Sequence, residues 1–386
     1  MENESFVPMG LIQAGKYLGY EPALHLAGRL IAYYREAFYQ PDGTFLTTPG
    51  DSRNTHFHSH TSGLLTMCEY ALATDDSEMM QHVLRGYEYA KRCGNSLIGY
   101  FPEWSNSERY HTSEICEVSD MVSLALRLSD AGVGDYWDDA DRWLRNVLAE
   151  GQLMTTDWIN RLVGAGWTEP WQVAPSQLDP VRQTTHRVAE RNRGAFAGWP
   201  SVNDWYTGLG SGIQHCCTAN GARSLFFAWN QILTYHDGAL SVNLLLNRVS
   251  RWADIDSYIP YLGRVVVHVK QSLELSLRIP EWATPENTHA TINDAACRIE
   301  WNGRYARVGG VKAGDSVAVS FPIEERTDEI HVEKRRYTIV RRGNEVVSVD
   351  PPGVFCPLYQ REHYRSNRPR WLSVDRFVSE EDLDWV

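Results

Sequence analysis

The chain has 386 residues, more than one typical hydrophobic core holds, so two or three domains are expected. Its 37 Lys plus Arg against 49 Asp plus Glu give a net charge of −12, which argues against nucleic acid or an anionic membrane surface as the main partner. A small neutral or sugar-like substrate is compatible with that balance, and a homo-oligomer is left open.

The cysteine count is 7, an odd number at irregular spacing, which speaks against a disulfide framework and for a reducing compartment. Met1-Glu2-Asn3-Glu4 is acidic and polar, unlike a signal peptide, and no apolar run reaches transmembrane length. The expected location is cytoplasmic.

From Pro22 to Phe38 the positions Leu24, Leu26, Leu30, Ile31 and Tyr34 predict a helix, with Pro22 in its first turn. A loop opened by Gly43 and Pro49 carries His56-Phe57-His58-Ser59-His60, and a helix follows through Leu64, Leu65, Cys68, Tyr70 and Leu72. Asp75-Asp76-Ser77 caps the next helix, Glu78 to Arg92, and Gly94 stops it. After the loop Gly99 to Trp104, Ser113 is a plausible N-cap for a helix bearing Val118, Met121, Val122, Leu124 and Leu128. Asp135 to Glu150 reads as another helix. Met154 to Gly212 is irregular, rich in Trp, Gly and Pro, and long enough to fold over a site, where its aromatic rings would suit sugar faces.

His215-Cys216-Cys217 opens a further helix, with Thr218 or Asn220 as cap and Leu225, Phe226, Trp229, Ile232 and Leu233 at helical spacing. Beyond Thr234 the texture changes to strands: Ala239–Leu244, Arg264–Val269, the strict alternation of Leu273–Ile279, a turn at Asn302-Gly303 and the strand Ser316–Phe321. The expected organisation is a helical part over residues 1–236 and a β-sandwich part over 237–386.

Four side chains stand out as candidate metal ligands: Glu114, Cys116, Cys216 and Cys217. Adjacent cysteines are poor disulfide partners, since consecutive Cα atoms lie about 3.8 Å apart, below the usual disulfide separation of roughly 4.4 to 6.8 Å. Three thiolates and a carboxylate match zinc best among common biological metals. Residues two apart face opposite sides of a regular helix, so Glu114 and Cys116 share a metal only if the backbone breaks helical geometry there. Free cysteine is also a common core residue, and Cys68, Cys93, Cys297 and Cys356 are read that way. In His56-x-His58-x-His60 the outer pair could bind a metal, with no partnering carboxylate obvious nearby, or His56 and His58 are loop residues or form a second polar cluster.

Glu114-x-Cys116 followed by Cys216-Cys217-x-x-Asn220 and Ala222-Arg223 resembles the metal-dependent cysteine glycosidases of glycoside hydrolase family 127, whose founding activity is β-L-arabinofuranosidase. Leu277-Arg278-Ile279-Pro280-Glu281-Trp282 is similar to that family's strand-ending signature, and Gly309-Gly310 to Gly314-Asp315 to its sandwich pattern. The resemblance runs from about His56 to the end of the chain. It implies an (α/α) barrel followed by β-sandwich modules, with zinc held by Glu114, Cys116, Cys216 and Cys217. It further implies Cys216 as nucleophile in a retaining hydrolysis through a thioglycosyl intermediate, Glu103 as the acid with Glu108 as rival, and His60 as a sugar contact. His215, beside the nucleophile, touches substrate or orients the loop.

Two departures qualify the resemblance. A complete barrel needs roughly a dozen helices, against about seven read here, so the chain either hides several in Met154–Gly212 or starts inside the barrel. Thr218-Ala219 replaces a proline-containing version, which bears on the substrate. A non-catalytic carbohydrate binder with a structural zinc is the competing expectation, and a thiol-redox or metal-storage protein a third.

Overall fold

The computed structural model describes residues 6–47, 56–105, 112–166, 177–208, 212–372 and 374–378. Glu108, the rival acid, lies outside them. The chain is helical up to Gln231 and built from strands from Leu233 onward. Nine α-helices occur among the described residues: α1 Phe6–Leu18, α2 Glu21–Phe38, α3 Phe57–Thr74, α4 Ser77–Cys93, α5 Ile115–Asp130, α6 Trp137–Trp143, α7 Asp157–Gly164, α8 Val188–Arg191 and α9 His215–Gln231. A π-helical turn, Leu144–Leu148, prolongs α6.

α5 is the axis of the helical part. It packs against α3 on one side and α9 on the other, while α3 also packs against α1 and α4, and α6 leans on α5. Its residues from Ile115 to Ser129 are all buried, and apart from Glu117, Asp120 and Arg127 they are apolar or small.

Helix starts differ from expectation in three places, and each difference bears on the site. α3 begins at Phe57, so His58 and His60 stand in its first turns instead of in a loop. α5 is capped by Glu114, not Ser113: Glu114 is extended (φ −122°, ψ 137°), and its N–H donates to the Glu117 carboxylate at 2.7 Å, half of a capping box. α9 begins at His215 behind an extended Gln214, while Thr218 uses its hydroxyl to accept from the Phe196 N–H at 3.2 Å. Asp76 caps α4 as expected, accepting from Met79 N–H at 2.9 Å.

The strands form three sheets. One has the order Leu233–His236, Ala239–Val242, Leu273–Arg278, Tyr305–Val311, Glu300–Asn302, with a single parallel pairing between the second and third. The second has the order Arg248–Val249, Ala253–Ser257, Arg264–Val269, Ser316–Ser320, His289–Ile292, Ala295–Cys297, and the third is the antiparallel set Glu325–Val332, Arg335–Arg342, Glu345–Asp350. Alternation buries Leu273, Leu275 and Leu277, and Asn302-Gly303 turns the hairpin with Gly303 at φ +56°.

Buried ion pairs join the helical part to the sheets. Arg145 bonds Glu345 at 2.7 Å, Arg361 bonds Glu150 at 2.6 Å and Glu345 at 3.2 Å, and Arg278 bonds Asp138 at 2.5 Å. Asn146 completes the seam, donating to Asn344 O and accepting from Val346 N–H. Among the described residues of Met154–Gly212, Trp158 lies 5.3 Å from Trp205, and Tyr206 5.3 Å from Phe355, all but Phe355 buried.

Candidate functional site

The amino ends of α3, α5 and α9 converge. Because Glu114 is an extended cap and Cys116 sits in the first turn of α5, the two side chains escape the opposed directions that a regular helix would impose. Cys216 and Cys217 arrive on the first turn of α9. One donor atom from each of Glu114, Cys116, Cys216 and Cys217 lies within 4.8 Å of the others. Cys116 Sγ is 3.5 Å from Cys217 Sγ, Cys217 Sγ is 3.3 Å from Glu114 Oε1, and Cys216 Sγ is 3.6 Å from Glu114 Oε1 and 3.9 Å from Cys217 Sγ. Three of the four residues are buried, and Cys216 is exposed.

The Met154–Gly212 segment does reach this cluster, since Gly198 O accepts from the Cys217 thiol at 3.7 Å. Gly198 has no room for a side chain, because a Cβ there would stand 2.5 Å from Gln214 Cγ.

Glu114 has two faces. Its Oε1 meets the thiols, and its Oε2 lies 3.2 Å from His56 Nε2, which is also 3.5 Å from Glu103 Oε1. His56, Glu103 and Glu114 are all buried and form a second group whose donor atoms lie within 4.8 Å of one another. Glu103 is pinned through its backbone, accepting from Phe57 N–H at 3.1 Å and donating to Thr112 O at 3.0 Å. His56 Nδ1 faces Ser59 Oγ at 3.0 Å.

Electrostatics divide the groups into charged and neutral members. Burial raises the Glu103 carboxyl to about 7 despite the nearby imidazole. Burial opposes ionisation of Glu114 as well, but the His56 hydrogen bond and the charges of His58 and His56 outweigh it and hold that carboxyl below its usual range. His56, penalised by burial, is nonetheless raised to about 10 by Glu103 and Glu114. Hydrogen bonds from Cys116 and Cys217 hold the Cys216 thiol well below its ordinary value, whereas Cys116, donating to the other sulfurs and buried, is pushed far up.

Three solved structures resemble this chain in fold over 88% of its length. One is a glycoside hydrolase (TM-score 0.60, 17% identity, 88% of this chain and 59% of that one). The second is a family 127 β-L-arabinofuranosidase from Geobacillus stearothermophilus T6 (TM-score 0.55, 18% identity, 88% and 57%). The third is a β-arabinofuranosidase of the same family (TM-score 0.61, 17% identity, 88% and 55%). This chain has their fold. It spans between 55% and 59% of their lengths. No protein-family model and no curated protein sequence matches the chain.

The residues singled out in the sequence are thus brought together only in part. Glu114, Cys116, Cys217 and the exposed Cys216 form one group, and Glu103 joins it through Glu114, which also belongs to the His56–Glu103 group. His215 is exposed on the first turn of α9 beside Cys216. His60 is turned into packing: it is 1% exposed, stacks on Phe45 at 4.5 Å and faces Tyr39 at 5.7 Å, while its Nδ1 lies 3.2 Å from His56 O. Cys68, Cys93, Cys297 and Cys356 are free and stand outside the cluster.

Three buried side chains beside the site had no partner fixed by the sequence. His56 and His58 have carboxylate partners after all, Glu114 and Asp120, at separations of 58 and 62 residues. Glu117, wholly buried, anchors the Glu114 backbone, and the Glu-x-x-Glu spacing of a capping box was its available signal.

Proposed function

We propose that this chain carries the catalytic centre of a retaining glycoside hydrolase, β-L-arabinofuranosidase-like, in which a zinc site made by Glu114, Cys116, Cys216 and Cys217 holds the nucleophile. In this reading the helices up to residue 236 belong to an (α/α) barrel and residues 237–386 to β-sandwich modules, and the substrate is a furanoside or related oligosaccharide. The fold likeness to family 127 enzymes supports it.

The observation that carries the proposal is the spacing of the donor atoms together with the exposure of one of them. A tetrahedral zinc with Zn–S of about 2.3 Å and Zn–O of about 2.1 Å requires S···S of about 3.8 Å and S···O of about 3.6 Å. The distances here are 3.5 and 3.9 Å between sulfurs and 3.3 and 3.6 Å from sulfur to carboxylate oxygen. The residues fit the metal. Four protein ligands fill the tetrahedron and leave no open position for a metal-bound water, so the chemistry in this reading falls to the one ligand open to solvent, Cys216.

Zinc, when bound, keeps these thiols ionised at neutral pH and so favours the thiolate form of Cys216. The chain's own groups supply the rest. The Cys216 sulfur attacks the anomeric carbon as the bond to the leaving oxygen breaks, and Glu103, a protonated acid up to about pH 7, gives its proton to that oxygen. Water then displaces sulfur from the thioglycosyl carbon while Glu103 takes the proton back, and two inversions give net retention. His56, held between Glu103 and Glu114, keeps the two carboxylates in register. Of the two histidines assigned to the sugar, His215 is open, whereas His60 meets substrate only if Phe45 or Tyr39 moves.

An aryl β-L-arabinofuranoside tests the assignment. Wild-type protein is expected to release the sugar with its anomeric configuration retained, and Cys216→Ser to be inactive. Turnover by Cys216→Ser, or none by wild type across a glycoside panel, would remove the nucleophile; the second outcome favours the carbohydrate binder.

A further inference from the structure

The His-x-His pair of α3 places one histidine against the site and the other one step deeper. His58 Nδ1 lies 2.7 Å from Asp120 Oδ2, and Thr61, one helical turn further on, donates to the same oxygen at 2.9 Å. From α9, Arg223 donates to Asp120 Oδ1 at 3.4 Å, and next to it Ser224 donates to Ser119 O at 2.9 Å. Asp120 is wholly buried and belongs to α5. A single carboxylate thus receives side chains from both neighbours of the central helix.

Its height along the helix matters. Asp120 follows Cys116 by four residues, about 6 Å of rise, while Arg223 follows Cys217 by six, about 9 Å, and His58 follows His56 by two, about 3 Å. The clasp therefore lies one to two turns beneath the ligand cluster, on the two helices that supply it, α5 and α9, and on α3, whose N-cap His56 faces Glu114. Burying a carboxylate costs stability unless its lone pairs are filled, and such a group is best justified where it fixes register between elements. Sliding α9 against α5 by a fraction of a turn would break the Arg223 bond and pull the donor atoms apart, and sliding α3 would carry His56 away from Glu114.

We infer that Asp120 is a positioning residue for the metal centre, clasping α3 and α9 to α5 so that Glu114, Cys116, Cys216 and Cys217 meet at ligand spacing. This rests on the zinc-site reading above, and on the geometry of a buried carboxylate whose three partners come from the two flanking helices. Asp120 touches neither ligand nor substrate; it acts through the helices.

The structure also supplies a matched control. Arg127 and Glu69 tie α5 to α3 through two hydrogen bonds of 2.6 and 3.0 Å, about 10 Å further down the helix from Asp120. Removing that pair weakens the same helix contact without disturbing the layer under the site.

The experiment measures cobalt(II) and zinc affinity of the full chain by competition with a chromophoric chelator, and the thiolate-to-cobalt absorption spectrum, for wild type, Asp120→Asn and Arg127→Ala at equal folded fraction. Asp120→Asn, which keeps the shape and so folds, is expected to lose about 10- to 100-fold in affinity and to shift the tetrahedral cobalt bands, as outer-shell changes do. Arg127→Ala is expected to lower the urea midpoint and leave both metal readouts within about threefold of wild type. If wild type binds metal and Asp120→Asn binds it as tightly with an unchanged spectrum, or if Arg127→Ala weakens binding equally, the positioning role is wrong and the zinc reading survives. If wild type binds no metal, the zinc reading fails and the positioning role falls with it.

Discussion

Replacing Cys116 by alanine separates a metal ligand from a buried cysteine, because Cys68 offers the same change without the ligand. Both are 0% exposed and lie on helices that pack together, so loss of the sulfur costs comparable packing at each. Zinc at a free concentration one hundred times its dissociation constant adds about 2.7 kcal/mol to the folded state. With an unfolding entropy of about 2.1 cal/mol/K per residue, the 386-residue chain changes by about 0.8 kcal/mol per degree, so zinc raises the wild-type Tm by about 3 °C. Losing one of four ligands with a thousandfold weaker constant leaves a zinc contribution under about 0.1 kcal/mol at the same concentration. Differential scanning calorimetry of each variant, with EDTA and then with zinc, reads the difference. The upshift of about 3 °C is expected in Cys68→Ala and absent in Cys116→Ala. Equal upshifts in the two variants would refute the ligand assignment, however large either shift proved to be.

Other outcomes follow from the same geometry. Glu103→Gln should slow glycosides with poor leaving groups far more than activated aryl glycosides, and should abolish the fall in rate as pH rises through about 7, where Glu103 loses its proton; parallel losses on both substrates would move the acid elsewhere. In metal-free protein His56 is raised from 6.5 to about 10, so the folded state holds its proton more tightly than the unfolded chain. That contribution is complete below pH 6.5 and is lost as pH rises through about 10, so urea midpoints should decline over this window in wild type and flatten there in His56→Gln. A variant curve parallel to wild type would assign the decline to other groups.

What the sequence disclosed and what it withheld follow from how local each interaction is. The alternation of Leu273 to Arg278, the Asn302-Gly303 turn and the helix of Glu21–Phe38 depend on neighbours a few residues away, and each is found where its pattern placed it. α1 gave no such signal, since Phe6–Leu18 carries Pro8, Gly10 and Gly15. Gly15 is needed because a Cβ there would stand 2.9 Å from Leu24 Cβ on α2, so tertiary packing outweighs poor intrinsic propensity. The paired cysteines and Glu-x-Cys were legible because their chemistry is rare. The partners of His56 and His58 were not: charge pairing across 58 and 62 residues leaves no local trace, and a buried polar helix start looks like a loop in composition. Of the aromatic residues in Met154–Gly212, Trp158 and Trp205 pack on each other inside the fold, while Trp167 and Trp171 lie outside the described residues.

Zinc K-edge absorption on the metal-loaded protein tests the central claim most directly. Convergence of Glu114, Cys116, Cys216 and Cys217 predicts three sulfur scatterers at about 2.3 Å and one oxygen near about 2.1 Å, falling to two sulfurs in Cys116→Ala. A shell of nitrogen and oxygen alone, or a sulfur count that Cys116→Ala leaves unchanged, would contradict it.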